Sequence, residues 1–332
     1  MSDLKKSEST NYLFLTAMLR AREAEMMGSE TLERMLQAPG FAEACAIAAD
    51  HGYADMSAMS IREIEDTLAA HRREEIEDVA LTVPDKELVD LFRLKYDYHS
   101  AKVMVKSDGA SKQLLSFEGR VEAAEMLKAF AKNELVMLPV SLAEAIEDAK
   151  HMLARTGNPC LADLILDRAY FSEMAQLSDA LNLPFARDYV RLIIDATNLK
   201  VLIRSRLAGK RPEIVGELLF DGGSLLKEAL VDAADNADEI VRLFSGSGLE
   251  AAAEKGAAMF EGGSMTEFEL AVDNSINAYL ADAVRIGFGP AAVISYLAAV
   301  ENEVMTLRII LTGRLMGIST EALRGRLRES YV

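Results

Sequence analysis

The sequence predicts an all-α protein built from three similar helical-bundle units, and three observations carry that prediction. Half of the 332 residues are hydrophobic, with 16 Met, no Trp and few β-branched runs, a profile that favours helix over sheet. Near the C-terminus Ile294, Leu297, Val300, Val304, Leu307 and Leu311 recur at steps of 3, 3, 4, 3 and 4, one face of an α-helix. That ladder then appears twice more. Shifted back by 206 positions it reads Leu88, Leu91, Leu94, Tyr98, Ala101, Val105; shifted back by 108 it reads Ala186, Tyr189, Leu192, Ala196, Leu199, Ile203. In each copy an acid precedes a base by five residues: Asp97/Lys102, Asp195/Lys200 and Glu303/Arg308. A proline lies 11 to 13 residues before each acid, at Pro84, Pro184 and Pro290. Length alone suggests about two ordinary domains. The repeats instead divide the chain into units 1–113, 114–217 and 218–332, with key helices at about 85–106, 185–208 and 290–316.

In chain order, Asn11–Met27 is amphipathic, with Leu13, Ala17, Arg20 and Ala24 in helical register and Gly28 as the expected C-cap. Ser29 with Glu33 opens a helix that closes near Pro39-Gly40, and Phe41–Asp50 forms another, ended by His51-Gly52-Tyr53. Ser60 with Glu63 is a capping box for a helix running to Ala80, and Thr82-Val83-Pro84-Asp85 breaks the chain before the first key helix. Ser107-Asp108-Gly109 is a polar turn. LLSFEG (114–119) and LLFDGG (218–223) occupy matching places after the first and second key helices. Helices are expected at 120–132, 141–155 and 160–181 in the second unit, and at 224–235, 237–244, 249–260 and 266–284 in the third. A last helix is expected at about 319–330. Tyr170 and Tyr279 lie 25 and 24 residues before Asp195 and Glu303, which reinforces the repeat.

A net charge of −17 argues against nucleic acid and against docking on an anionic bilayer, and favours a basic protein partner. The opening MSDLKKSEST lacks the apolar core of a signal peptide, and no apolar run reaches the ~18 residues of a membrane span. Cys45 and Cys160 have no metal-ligand spacing, so the chain reads as cytoplasmic and free of disulfides.

Five residues on a helix turn through about 140°, so each acid and its own base lie on opposite shoulders of the apolar stripe. Asp97, Lys102, Asp195, Lys200, Glu303 and Arg308 therefore have two compatible readings. One acid meets the next helix's base in an inter-unit salt bridge that fixes register, or the shoulders line a concave partner surface. Catalytic signatures are missing. No P-loop occurs, and Gly246-x-Gly248-x-x-Ala251 lacks the strand a dinucleotide fingerprint needs. His51, His71, His99 and His151 form no ligand set, and His99 reads as a polar helix residue. Asp232, Asp235 and Asp238 drift around one helix face as a solvated surface. They are the only set that an all-helical Mg²⁺ enzyme could use. No cofactor or metal is expected, and a generic helical scaffold is the other rival reading.

KYDYHSAKVMVKS (95–107), DATNLKVLIRSRLAGK (195–210) and the segment from Tyr296 to Val332 resemble the C subunit of prokaryotic V/A-type rotary ATPases, the family of the eukaryotic V-ATPase d subunit. Tyr12, Arg20 and Arg22 are similar to that family's N-terminal Tyr…Arg-x-Arg helix, and Arg324-x-x-Leu327-Arg328-x-x-Tyr331-Val332 to its ending. Ser100 departs from the Asn frequent in the family's first unit, which Asn198 supplies in the second. The resemblance implies a pseudo-threefold funnel with a central cavity and no active site of its own. It implies a socket that joins the central stalk (subunits D and F) to the membrane rotor ring (K/c subunits) at the cytoplasmic face. ATP synthesis or hydrolysis would thereby be coupled to proton or Na⁺ transport. With the net charge added, the cavity is expected to be acidic and lined by Ala and Met.

Overall fold

The computed structural model describes residues 12–107, 115–132 and 134–329, and among them it is all helix and turn with no strand. The helices are α1 Leu13–Glu23, α2 Ser29–Gln37, α3 Phe41–Asp50, α4 Ile61–Thr82, α5 Glu87–Ser107, α6 Ala123–Lys132, α7 Val140–Thr156 and α8 Pro159–Leu181. They continue as α9 Pro184–Leu207, α10 Pro212–Gly216, α11 Lys227–Ala233, α12 Ala237–Leu243, α13 Glu250–Ala258, α14 Met265–Ala281, α15 Pro290–Leu315 and α16 Thr320–Arg324. Asp108 and Gly109 of the polar turn, Leu114, and Tyr331-Val332 lie outside the described residues.

The three key helices are α5, α9 and α15. All eighteen ladder positions are buried, none more than 8 % exposed. Fully burying a Leu, Ile or Val is worth about 1.5–3 kcal/mol, so these three stripes organise the core. Pro184 and Pro290 sit in the first turns of α9 and α15, where a missing N–H costs nothing. α4 opens on the capping box, with Ser60 and Glu63 bonding each other's backbone N–H.

Two expectations give way. Gly28 does not cap α1: the helix stops at Glu23, and Gly28 in extended backbone instead precedes α2. The reason is tertiary, because the Met27 N–H donates to Glu303 of α15 at 2.7 Å and draws the chain out of the helix. The last helix is α16, 320–324, in place of 319–330. Beyond it Arg328 bonds Asp273, and Glu329 bonds both Asn274 and Asn277, which holds the chain against α14.

The core has three parts. The first joins the N-terminal halves of all three key helices (Leu88–Leu94, Ala186–Ile194, Val293–Val300) with the rest of α5, α6–α8 and the start of α1. The second packs Val304–Leu311 of α15 on Met27–Leu68 and Leu323. The third packs Leu192–Ile203 of α9 on Val215–Val272. The key helices thus share one core at their beginnings, and the later halves of α9 and α15 each enter a separate one.

Candidate functional site

The six shoulder residues divide by chemistry, and no acid of the set meets any base of the set. The acids hold backbone. Asp97 accepts the Val121 N–H at 3.0 Å, and Asp195 accepts those of Ser224 and Leu225 at 2.8 and 3.3 Å. Glu303 accepts the Met27 N–H and the Tyr53 O–H, each at 2.7 Å. In the first two cases the turn is LSFEG (115–119) or LLFDGG (218–223), folding back on the key helix that precedes it. A Cβ on Gly119 or Gly223 would run into Asp97 Oδ1 or Asp195 Oδ1, so both glycines are required by close approach. Asn198 completes the second turn by pairing with both the N–H and C=O of Phe220, each at 2.9 Å. Ser100 supplies a single bond in the first, from the Ser116 N–H.

The bases reach sideways. Lys102 pairs with Asp167 of α8 (2.5 Å), Lys200 with Asp273 of α14 (3.3 Å) and Arg308 with Glu65 of α4 (2.6 Å). Each target lies on the helix that leads into the following key helix, and the third returns to the helix before α5. The pairs therefore form a closed cycle of ties. All are partly exposed, and each contributes at most about 1 kcal/mol.

Burial pushes the Asp97 carboxyl upward, although the Val121 N–H and Arg120 pull it back. Burial does the same to Asp195 against its two backbone donors. Tyr53 is pushed far above the usual phenol range by burial and the Glu303 charge, so it stays a donor. At Glu118 burial is outweighed by Arg72 and the bond from Ser116, which hold the carboxyl low.

A cleft of about 270 Å³ opens between the key helices. Lys95, Ile193 and Glu301 line it, and the shifts of 98 and 108 superpose them. Ala298 and Met305 also line it, and its charge is mixed: Arg72, Lys95 and Arg328 stand beside Asp273 and Glu301. These cations are held by carboxylates, Arg72 by Glu118, Lys95 by Glu301 and Arg328 by Asp273. Negative charge accumulates instead between residues 213 and 282, where fifteen acids face three bases.

Where the key helices begin, Leu13, Phe14, Leu81, Val284, Ile286 and Phe288 are exposed, Leu81 and Phe14 by 81 % and 76 %. Hydrogen bonds gather them at one end: Tyr12 O–H to Asp85 (2.5 Å), Gly289 N–H to Thr16 (3.2 Å) and Arg20 to the Ala283 carbonyl (2.9 Å).

The carboxylate-enzyme reading falls. Asp232, Asp235 and Asp238 are all exposed and are spread over α11, a turn and α12 rather than one helix face. Among the described residues no three His, Cys, Asp or Glu side chains are placed to hold a metal. His99 is an exposed residue of α5. Gly246 and Gly248, with φ of 78° and 83°, turn the chain from α12 to α13, and no strand precedes them. No helix of the described residues is long and apolar enough to cross a membrane.

Sequence reasoning did not find the acids' true partners. The signal was the glycine closing each turn. It was masked because Gly119 follows Asp97 by 22 residues and Gly223 follows Asp195 by 28.

The chain is 23 % identical over 324 residues to the C subunit of the V-type sodium ATPase of Enterococcus hirae, covering 96 % of this chain and 99 % of the relative. It is 22 % identical over 343 residues to the C subunit of the A-type ATP synthase of Methanocaldococcus jannaschii, covering 95 % and 86 %. It is 19 % identical over 217 residues to the C subunit of the V-type ATP synthase of Thermus thermophilus, covering 61 % and 66 %. The sequence model of the ATP synthase (C/AC39) subunit family matches residues 15–326. The chain belongs to that family, the C subunits of the V- and A-type rotary ATPases, whose role is structural and not catalytic.

Proposed function

We propose that this protein is the socket of a rotary motor, a pseudo-threefold funnel that joins the central stalk to the membrane rotor ring at the cytoplasmic face. The partners are stalk subunits D and F on one side and the K/c ring on the other. Through them ATP synthesis or hydrolysis is coupled to proton or Na⁺ transport. The observation that carries this reading is the division of the core. The key helices share one core at their start and the later halves of α9 and α15 enter separate ones, and we read that arrangement beside the cleft as a cup. The apolar end at Leu13, Phe14 and Phe288 is assigned to the ring, and the cleft around Ile193 and Met305 to the stalk tip. A part that passes torque needs stiffness, and the cycle of Lys102, Lys200 and Arg308 ties supports it. The proposed units divide at 113/114 and 217/218, and packing crosses those divisions: Val215–Val272 lie against Leu192–Ile203 of α9, and Met27–Leu68 against Val304–Leu311 of α15.

The test is a pull-down at low and moderate salt with purified D and F subunits and with detergent-solubilised ring. Photo-crosslinkers are placed at Met305 and Phe288. Stalk capture from Met305 and ring capture from Phe288 are expected. A protein that ignores stalk and ring at both salts overturns the socket, and crosslinks with the sites exchanged reverse the assignment of ends.

A further inference from the structure

The first and second units treat one site differently, and the difference points to a ligand. In the first, Arg120 is surrounded by acids: its Nε lies 2.7 Å from Asp97, its Nη1 lies 2.8 Å from Glu173, and the Asp90 carboxyl feels its charge. Each acid has an acidic counterpart in the second unit. The shift of 98 that superposes α5 on α9 carries Asp90 to Asp188 and Asp97 to Asp195. Matching Tyr170 with Tyr279 carries Glu173 to Asp282. The turn that places Gly119 on Gly223 carries Arg120 to Ser224. The acids are kept and the arginine is replaced by a serine.

The structure confirms that these counterparts converge. Asp188, Asp195 and Asp282 line one open cleft of about 350 Å³, together with Ser224, Ser247 and Ser275. Asp195 is only 2 % exposed and accepts the backbone N–H groups of Ser224 and Leu225; the Ser224 side chain and the Arg191 charge also act on its carboxyl, and no guanidinium bonds it as Arg120 bonds Asp97. The cations beside the other two acids are surface neighbours on their own turns: Arg191 lies 4.0 Å from Asp188, and Arg285, 85 % exposed, lies 3.1 Å from Asp282. Such pairs are weak and easily exchanged. The segment 213–282, which supplies Ser224, Ser247, Ser275 and Asp282 of the cleft, carries twelve of the chain's seventeen net negative charges.

We infer that the cleft beside Asp195 is a socket for an arginine side chain presented by a partner protein, in the place that Arg120 occupies in the first unit. A planar guanidinium can bond two carboxylates at once, as Arg120 does with Asp97 and Glu173, whereas a lysine ammonium lacks that fork. Three serine hydroxyls supply acceptors for its remaining N–H groups. Long-range attraction by the acidic lobe brings a basic partner surface to the site. The inference is independent of the rotor reading, since either can fail while the other stands.

The experiment is a backbone-amide NMR titration of the full chain with Nα-acetylarginine amide and with its neutral isostere Nα-acetylcitrulline amide, at low ionic strength. Saturable shifts at Ser224 and Leu225 are expected with the arginine probe, and at least tenfold weaker binding with citrulline. Ser224→Arg, which supplies its own guanidinium, should abolish the response. Equal binding of the two probes, or unaltered arginine binding by a folded Ser224→Arg, overturns the socket. Should that variant not fold, Asp188→Asn and Asp282→Asn decide it. Each should weaken the arginine probe several-fold, and an unchanged titration in both overturns the inference.

Discussion

The turn after α5 and the turn after α9 are one device made with different chemistry. Both place a glycine against a buried aspartate that accepts backbone N–H groups. The first adds a cation, Arg120, and secures its turn with the one bond of Ser100. The second has a serine at that place, feels Arg191 only through its charge, and secures its turn with the two-way bonding of Asn198. The shared parts show what the geometry requires: an acceptor on the helix, donors on the turn and no Cβ between them. The differing parts show what it can do without. A guanidinium bonded to the buried aspartate is optional at this place, and beside the second turn Asp188 and Asp282 have only the surface cations Arg191 and Arg285.

The comparison breaks most visibly at Arg120. Arg120→Leu leaves the buried Asp97 and the partly buried Glu173 without their cation, and should cost about 3–5 kcal/mol in urea unfolding. Lys200→Leu, at a partly exposed tie whose acid keeps Arg328, should cost under about 1 kcal/mol. Similar losses in both would mean that the shoulder bases carry more of the fold than their exposure allows.

The glycines come next. Gly119→Ala and Gly223→Ala should each cost about 2–3 kcal/mol, because the new methyl displaces a carboxylate from its N–H donors. Combining Gly223→Ala with Asp195→Ser should recover part of the loss, a coupling that a double-mutant cycle reads directly. Full additivity would show that the aspartate and the glycine are not in contact.

The smallest effect is in pH. Asp195 is raised by burial, so its folded-state pKa exceeds the unfolded one. The stability it contributes is present below the unfolded carboxylate value and is lost as pH rises through the folded value. Unfolding curves between pH 7 and about pH 4 should therefore show the parent gaining on Asp195→Asn as pH falls. Glu118 is held low by Arg72 in spite of its burial, so its contribution runs the other way. The parent's advantage over Glu118→Gln should shrink on acidification. Identical slopes for the two variants would erase the distinction between a carboxylate held by backbone and one held by a guanidinium.

Local pattern made the helices legible. The ladders of α5, α9 and α15 could be read because side chains facing one core repeat with the helical period. Their ends fall within a few residues of the prolines and turns that announce them. What escaped depended on contacts distant in sequence. Gly28 looks like a helix stop, yet the stop is made at Glu23 by a bond from Met27 to Glu303, 276 residues away. The acids and bases were legible as a set, because they share a spacing. Their partners were not, because a carboxylate's choice between a backbone N–H and a lysine is decided by which turn folds against it. Arg120 had no repeat to mark it, and only the superposition of the two turns reveals Ser224 in its place.

The union of Met27–Leu68 with Val304–Leu323 has a consequence for synthesis. Met35, Leu36, Ala44, Cys45 and Met56 leave the ribosome long before the surface that covers them, Val304–Leu323. Until that surface emerges these helices present an uncovered greasy face, a hazard that grows with chain length. Arg314, bonded to the carbonyls of Leu36 and Ala38, then acts as a clasp between parts of the nascent chain made far apart in time. Chaperones engaged on unfinished chains should accordingly let go only after α15 has emerged.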